Sequence, residues 1–308
     1  MDPSHLSYWN LIPFKIDPTL ITIFGNPIFT FGSTLDGSGL PIRYYGLMYL
    51  AAFFTCFKVI EYYNKKDKLP LNSVQLEGLA TWIIVGVLIG GRFGYIFFYN
   101  FTYFIEHPFN AVKVFEFSKT GFRFLGISGM SYHGGLIGAF LGGTFFLRKN
   151  KIPYWPIANI AFLAAPLGYT WGRLGNFLNS ELYGRETDAW IGMVFPSDKL
   201  KLVRHPSQLY EAFFEGVFLF VILLFLRRFK ICKDHMIALY LMGYGIARFF
   251  IEYYRQPDAH LGLDSSWIDG LSRGQLLCAA MVLTGLLLWI GRLKYSQVQN
   301  NKSGKVKK

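Results

Sequence analysis

Cysteine, histidine and charged side chains are all scarce in this chain, and each scarcity narrows its chemistry. The 308 residues hold three cysteines, Cys56, Cys232 and Cys278, in or beside separate apolar segments and with no CxxC spacing. Neither a disulfide framework nor a zinc site is indicated. Six histidines form no HExxH and no ligand pair at helical spacing, which argues against a metalloprotease. Only 16% of residues are charged, and acidic residues number 19 against 31 basic ones. The first fifteen residues, MDPSHLSYWNLIPFK, lack a basic region followed by an apolar core, so they do not read as a cleavable signal peptide. No internal repeat is strong enough to support an inverted-repeat transporter.

What the chain has in abundance is apolar surface. Hydrophobic residues make up 52% and aromatics 19%, with a mean hydropathy of +0.30. That usage exceeds the soluble norm and points to an all-α polytopic membrane protein. Seven apolar windows approach the roughly 20 residues that cross a bilayer: Tyr44–Ile60, Leu79–Tyr99, Met130–Leu147, Pro156–Phe177, Leu209–Leu226, Met236–Tyr254 and Gly274–Ile290. The net charge of +12 would suit nucleic acid, but its distribution excludes that partner. Sixteen of the 31 basic residues follow the first, third, fifth and seventh windows, as in Lys65, Lys66 and Lys68 or Arg148, Lys149 and Lys151. The positive-inside rule then puts those loops and the basic tail in the cytoplasm and the N-terminus outside. The predicted organisation is an external segment over residues 1–43, a transmembrane domain over 44–291 with external head segments near 100–129 and 178–208, and a cytoplasmic tail over 292–308. Thr19–Phe31 alternates around Gly25-Asn26-Pro27, as a short external hairpin or an interfacial segment would.

Beyond the inner basic clusters, the remaining charges gather toward the outer ends of the windows. Arg92 lies in the second, His133 at the start of the third, and Arg173 with Asn176 near the end of the fourth. Arg248 and Glu252 sit at i and i+4 near the end of the sixth, on one helix face with Tyr244. A charge at the centre of a bilayer costs roughly 2.5–3.5 kcal/mol on insertion scales, so such residues need partners and mark sites by default. Each also has a structural alternative. Arg248 and Glu252 can neutralise one another, Arg92 can snorkel to headgroups or hold helices together, and His133 can serve packing. The glycines Gly134, Gly135, Gly138, Gly142 and Gly143 suit close helix contact as well as ligand access. Their number at one depth favours a joint role, recognition of an anionic headgroup at the outer leaflet. Arginine gives bidentate, permanently charged contacts to phosphate, and a histidine with a pKa near 6.5 can exchange a proton at neutral pH.

Six motifs in order carry a more specific signal: Tyr45-Gly-Leu-Met-Tyr, Gly91-Arg-Phe-Gly-Tyr, His133-Gly-Gly-Leu-Ile-Gly, the block from Gly172 to Arg185 (GRLGNFLNSELYGR), Arg204-His-Pro-Ser-Gln-Leu-Tyr-Glu, and the stretch from Arg248 to Ala259 (RFFIEYYRQPDA). Together, over Tyr45 to Asp258, they resemble the bacterial phosphatidylglycerol–prolipoprotein diacylglyceryl transferases. The resemblance implies a seven-helix enzyme of the bacterial inner membrane, with its active site toward the outer leaflet. Such an enzyme moves diacylglycerol from phosphatidylglycerol to the lipobox cysteine of a preprolipoprotein and releases glycerol phosphate, with no cofactor or metal. Carried over by motif, the catalytic set is His133, Arg173, Arg248 and Glu252. The lipid-binding set is Arg173, Asn176, Glu181, Tyr45 and Tyr244, to which Arg92 is added on its position near the outer end of the second window alone. The chain departs from the family at Ser180, where glycine is common, in a longer basic stretch between Phe117 and Gly129 that includes Lys119 and Arg123, and in a short segment from Gly192 to Arg204.

The implied reaction needs a thiolate and a stabilised phosphodiester leaving group. Either His133 takes the thiol proton, or Arg248 with Glu252 supplies the field that ionises it. His205 is assigned to loop structure, and Glu211 is left open. A flippase for anionic lipid and a receptor for lipoprotein precursors are the competing classes.

Overall fold

The computed structural model describes residues 9–16, 19–23, 40–99, 101–107, 115–118, 121–124, 129–256 and 271–305. The Gly25-Asn26-Pro27 turn, Lys119 and Asp258 lie outside these residues. The elements in order are a 3-10 helix Trp9–Lys15, β1 Thr19–Ile23, β2 Leu40–Arg43, α1 Tyr44–Lys66, α2 Ser73–Tyr99, α3 Phe101–Glu106, β3 Phe115–Ser118, β4 Gly121–Phe124, α4 Tyr132–Lys149, α5 Tyr154–Leu178, β5 Met193–Val194 and β6 Val203–Arg204. They continue with α6 Ser207–Glu211, a π-helical segment Ala212–Phe218, α7 Leu219–Leu226, α8 Lys230–Lys233, α9 Met236–Ile251 and α10 Arg273–Lys305. The protein is mostly helical, with three two-stranded antiparallel sheets among the described residues. Among the described residues, three stretches, Ser73–Phe98, Ser207–Leu226 and Arg273–Leu293, are long and apolar enough to cross a membrane, and Met236–Ile251 is a shorter apolar helix.

Helix falls on all seven apolar windows, but local chemistry moves the ends. α1 continues six residues beyond Ile60 because Glu61 and Lys65 form an i,i+4 pair at 2.8 Å. α2 starts six residues before Leu79, where Asn72 and Gln75 exchange side-chain-to-backbone hydrogen bonds of 2.8 and 3.1 Å in a reciprocal cap. α9 stops at Ile251 rather than Tyr254. β1 pairs antiparallel with β2, Leu40–Arg43.

The chain divides into two compact units. One comprises residues 1–18, 44–60 and 158–308; the other comprises 19–43 and 61–157. In the second unit, α2 and α4 meet backbone to backbone. A Cβ on Gly138 would run into the Gly86 carbonyl, and one on Gly134 into the Gly90 carbonyl. Glycines here serve close helix contact, as in membrane helices generally. The outward surfaces of both helices carry Leu88, Ile89, Phe93, Leu136, Phe140 and Leu141, all exposed. Such continuous apolar surface suits lipid rather than water.

In the first unit, the segment between α5 and α6 forms a small packed head. Phe177, Met193 and Phe195 make its core, with Ile12, Ile16, Tyr183 and Leu209 packed around them. Asp198 bonds Arg204 at 2.6 Å and accepts the N–H groups of Leu200 and Leu202. Burial alone would raise the Asp198 carboxyl, but these bonds outweigh it and hold the group below the usual carboxylate range. A second set of polar bonds ties α5 to the start of α9, where Asn159 donates to the Asp234 carbonyl and accepts from Ile237 N–H.

Gly138→Ala is expected to lower the thermal midpoint in detergent, because the obstacle is backbone and overpacking costs about 1–3 kcal/mol or more. Gly135→Ala, whose Cβ would meet Val87 at an ordinary 3.6 Å, is the control. Equal midpoints for the two variants would contradict the packing argument.

Candidate active site

α5 places Pro166, Tyr169, Thr170 and Arg173 along one face, at spacings of three and four residues. The facing segment is the π-helical Ala212–Phe218. Its wide turn leaves the Ala212 carbonyl to accept a bond from Thr170 Oγ1 at 3.3 Å, alongside the Pro166 carbonyl at 3.0 Å. Gly216 admits this approach, since a Cβ there would strike Thr170 Oγ1. The contact carries Glu211 and Glu215, neither with any exposed surface, against the arginine end of α5.

Glu211 is the hub. Its Oε2 accepts from Tyr169 Oη at 3.0 Å and from Arg248 Nη1 at 2.7 Å and forms an ion pair with Arg173 Nε at 3.0 Å, while its Oε1 lies 3.6 Å from Arg255 Nε. The Arg173 guanidinium also lies 4.8 Å from the centre of the Tyr169 ring. That ring meets Tyr244 edge-on, with centroids 5.5 Å apart. Arg248 has two further carboxylates nearby: Glu215 Oε1 at 3.6 Å from Nη1, and Glu252 Oε2 at 3.5 Å from Nε. The expected i,i+4 pairing of Arg248 with Glu252 is therefore present but secondary. Glu211 comes closer because it projects from the facing helix, straight at the guanidinium.

The block from Gly172 to Glu186 closes the site at the end of α5. Asn176 links Arg173, which donates to its Oδ1 at 3.4 Å, to Glu181, which accepts from its Nδ2 at 2.8 Å. Ser180 and Leu182 both take left-handed backbone angles, φ 57° and 58°. That conformation favours glycine, so Ser180 holds it at a cost that its neighbours must offset. Hydrogen bonds hold the turn in place. The carbonyl of Ser180 accepts from Ser197 Oγ, that of Glu181 from Gln208 Nε2 at 2.7 Å, and that of Leu182 from Ser207 Oγ at 3.2 Å. Gly184 bridges to Arg255, and a Cβ there would collide with the Tyr254 carbonyl and His205. Arg185 donates through its backbone to Tyr254 and through Nε to the Arg255 carbonyl. The block is thus stitched to the end of α9, which fixes Arg173 and Arg248 relative to one another. His205 bonds Tyr210 Oη at 3.1 Å inside this packing, and burial pushes its imidazole below the usual range. It behaves as a loop residue.

Arg173, Asn176, Glu181, Tyr244, Arg248 and Glu252 all belong to this one cluster. Tyr45, partly buried, packs its ring against Gly175 on α5 and bonds Tyr49 Oη at 3.1 Å. His133 and Arg92 belong to the other unit. His133 is exposed in the first turn of α4, next to the Ser131 cap. Arg92 donates to the Gly129 carbonyl and lies 5.2 Å from the Phe104 ring centre. The cluster also contains Tyr169, Glu215 and Arg255, which the sequence reading passed over, and it turns Glu211 from an open case into the hub. The signal was available: Glu211 and Glu215 are two carboxylates at i,i+4 inside an apolar window, and an intramembrane acid is a site hypothesis by default.

The prolipoprotein diacylglyceryl transferase family model matches residues 34–291, most of the chain and every residue of this cluster. This chain belongs to the prolipoprotein diacylglyceryl transferase family. A phosphatidylglycerol–prolipoprotein diacylglyceryl transferase of Chlorobaculum tepidum is 41% identical over 285 residues, covering 92% of this chain and 93% of that protein. Proteins of the same name from Campylobacter hominis and Treponema pallidum are 38% identical (96% of this chain, 97% of theirs) and 39% identical (79% and 88%). With family membership, the apolar helices identify a multi-pass membrane protein.

Breaking a buried ion pair from one side typically costs 3–5 kcal/mol, because the other charge is left uncompensated. Glu211→Gln keeps the volume but removes the charge that Arg173 and Arg248 share. It is expected to lower the thermal midpoint in detergent by several degrees, and by more than Glu252→Gln. A larger effect at Glu252 would contradict the hub assignment.

Proposed function

We propose that this chain transfers the diacylglyceryl group of phosphatidylglycerol to the thiol of the lipobox cysteine of a preprolipoprotein, the first step of bacterial lipoprotein maturation. The observation that carries the reading is the convergence of Arg173, Arg248 and Arg255 on one buried carboxylate at the ends of apolar helices. Permanently charged forks held in this way are suited to the phosphate of a lipid headgroup. The names of the relatives supply the two substrates.

In this reading, the cysteine sulfur attacks the glyceryl carbon that carries the phosphate. A carbon–sulfur bond forms, the carbon–oxygen bond to phosphate breaks, and glycerol phosphate leaves with the electron pair. Arg173 and Arg248 hold the phosphate and stabilise the charge that grows on the leaving oxygen, a role that favours donors already in place. Glu211 orients both arginines, and Glu252 supports Arg248. Asn176 and Glu181, bonded to each other, steady Arg173 and offer acceptors to headgroup hydroxyls. Tyr45 and Tyr244 position the lipid, and Arg92 joins them in the lipid-binding set. Either His133 takes the thiol proton, or Arg248 with Glu252 supplies the field that ionises the thiol. No cofactor or metal enters this scheme.

The same proposal places the protein in the bacterial inner membrane with seven spans over residues 44–291. The N-terminal segment 1–43 and the head segments face outward with the site, and the tail 292–308 is cytoplasmic. The alternation of basic loops supports this orientation. The partners are phosphatidylglycerol, the lipobox peptide and the surrounding bilayer; nucleic acid is not among them.

Purified protein mixed with phosphatidylglycerol vesicles and a lipobox peptide is expected to add the diacylglyceryl mass to the cysteine and to release glycerol phosphate in equal amount. Headgroup binding or lipid flipping without that mass would overturn the assignment. Arg173→Lys keeps charge but loses the fork, and its turnover is expected to fall about 10²-fold or more, the range seen when one preorganised donor is removed.

A further inference from the structure

α9 and α10 pack with very little space between them. A Cβ on Gly245 would press on the Cys278 carbonyl at 2.9 Å, and one on Gly285 on the Ala238 carbonyl at 2.8 Å. Near the site, α10 begins with a reciprocal cap in which Ser272 N–H donates to Gln275 Oε1 at 2.9 Å and Gln275 N–H to Ser272 Oγ at 3.1 Å. The Gln275 side chain then reaches back to the Phe249 carbonyl on α9 at 3.4 Å. The first turn of α10 is thereby fixed against the end of α9, where Arg248 and Glu252 lie.

Gly274 sits within that turn, directly against the Glu252 carboxyl. A Cβ on Gly274 would lie 2.7 Å from Glu252 Cδ, closer still to Oε1, and 3.2 Å from Oε2. This collision differs in kind from the others between α9 and α10. At Gly245 and Gly285 the obstacle includes backbone, and adding a methyl must push helices apart. At Gly274 all three nearest atoms belong to the end of a flexible side chain, which can swing away at little cost to the fold. The group that would swing is the carboxylate 3.5 Å from Arg248 Nε. The negative end of Glu252 also lies at the N-terminus of a 33-residue helix, a location that favours a carboxylate electrostatically.

We infer that Gly274 is a positioning residue for the transfer reaction: the absence of a side chain there lets Glu252 lie against the start of α10 and hold Arg248 at the angle in which it meets the phosphate. A methyl at 274 displaces Glu252 and loosens Arg248 without unpacking the protein. The inference rests on the activity proposed above. Because the wild-type protein is assayed alongside, failure of that activity, with no transfer by wild type, is distinct from failure of this inference.

The test is a cycle of Gly274→Ala, Glu252→Ala and the double variant, with turnover on phosphatidylglycerol vesicles and thermal midpoint measured for each. Gly274→Ala alone is expected to keep a near-wild-type midpoint and to lose about 10- to 100-fold in kcat/KM, since a displacement of about 1 Å in a positioned group can cost 10²-fold. In the Glu252→Ala background the same substitution is expected to change nothing further, because the group it displaces is gone. An unchanged rate for Gly274→Ala, or an equal fold-loss in both backgrounds, would overturn the inference. Should Gly274→Ala fail to fold, the double variant decides. Recovery of folding when the Glu252 carboxylate is removed supports the contact, and a double variant that remains unfolded overturns it.

Discussion

A single carboxylate with no exposed surface, Glu211, accepts from Arg248 and Tyr169, pairs with Arg173 and faces Arg255. Two guanidinium groups brought this close repel one another, and in a water-poor site that repulsion is weakly screened. Only an anion between them makes the arrangement stable, and only a fixed anion makes it precise. Glu211 meets both needs. It neutralises the arginines, and its contacts with Nε of one and Nη1 of the other hold both guanidinium groups in place. Preorganisation of this kind separates stabilisation of a transition state from ordinary attraction of an anion.

Much of the surrounding structure serves to bring that carboxylate to the arginines. The π-helical turn after Glu211, the Thr170 bond to Ala212 and the bare backbone at Gly216 set the spacing between α5 and the segment that carries the acid. The end of α9 is fixed by Gly184 and by Arg185 on the Tyr254 and Arg255 carbonyls. The strained angles at Ser180 and Leu182 fit this account. Backbone strain of this order persists only where surrounding bonds over-determine it, and three side chains, those of Ser197, Ser207 and Gln208, bond the carbonyls of that turn.

The helical class was legible in the sequence because apolar windows of bilayer length carry their own signal. Arg173, Arg248 and Glu252 were legible because charges near such windows are conspicuous. The helix ends were harder to read, since caps such as Asn72–Gln75 and ion pairs such as Glu61–Lys65 act outside the apolar stretches that define a window. Glu211 and Glu215 were harder for a different reason. They enter the site through a π-helical register and through tertiary approach, neither of which leaves a periodic mark on the chain, and Glu211 stands in a motif whose other members, Arg204 and His205, belong to the head. Arg255 and Tyr169 become visible only once three segments far apart in sequence are folded onto one carboxylate. The Arg248–Glu252 spacing drew attention to a true but weaker pair, because i,i+4 neighbours can be read from sequence and cross-helix partners cannot.

The central claim is that Arg173 and Glu211 act as one unit in holding the lipid phosphate. The most direct test is a double-mutant cycle on kcat/KM for diacylglyceryl transfer with Arg173→Lys, Glu211→Gln and the pair. Residues in one charge network show coupling energies of about 0.5–3 kcal/mol, whereas independent sites add to within about 0.5 kcal/mol. The account predicts strong coupling, with the double variant little worse than the poorer single one. Additive losses would contradict it.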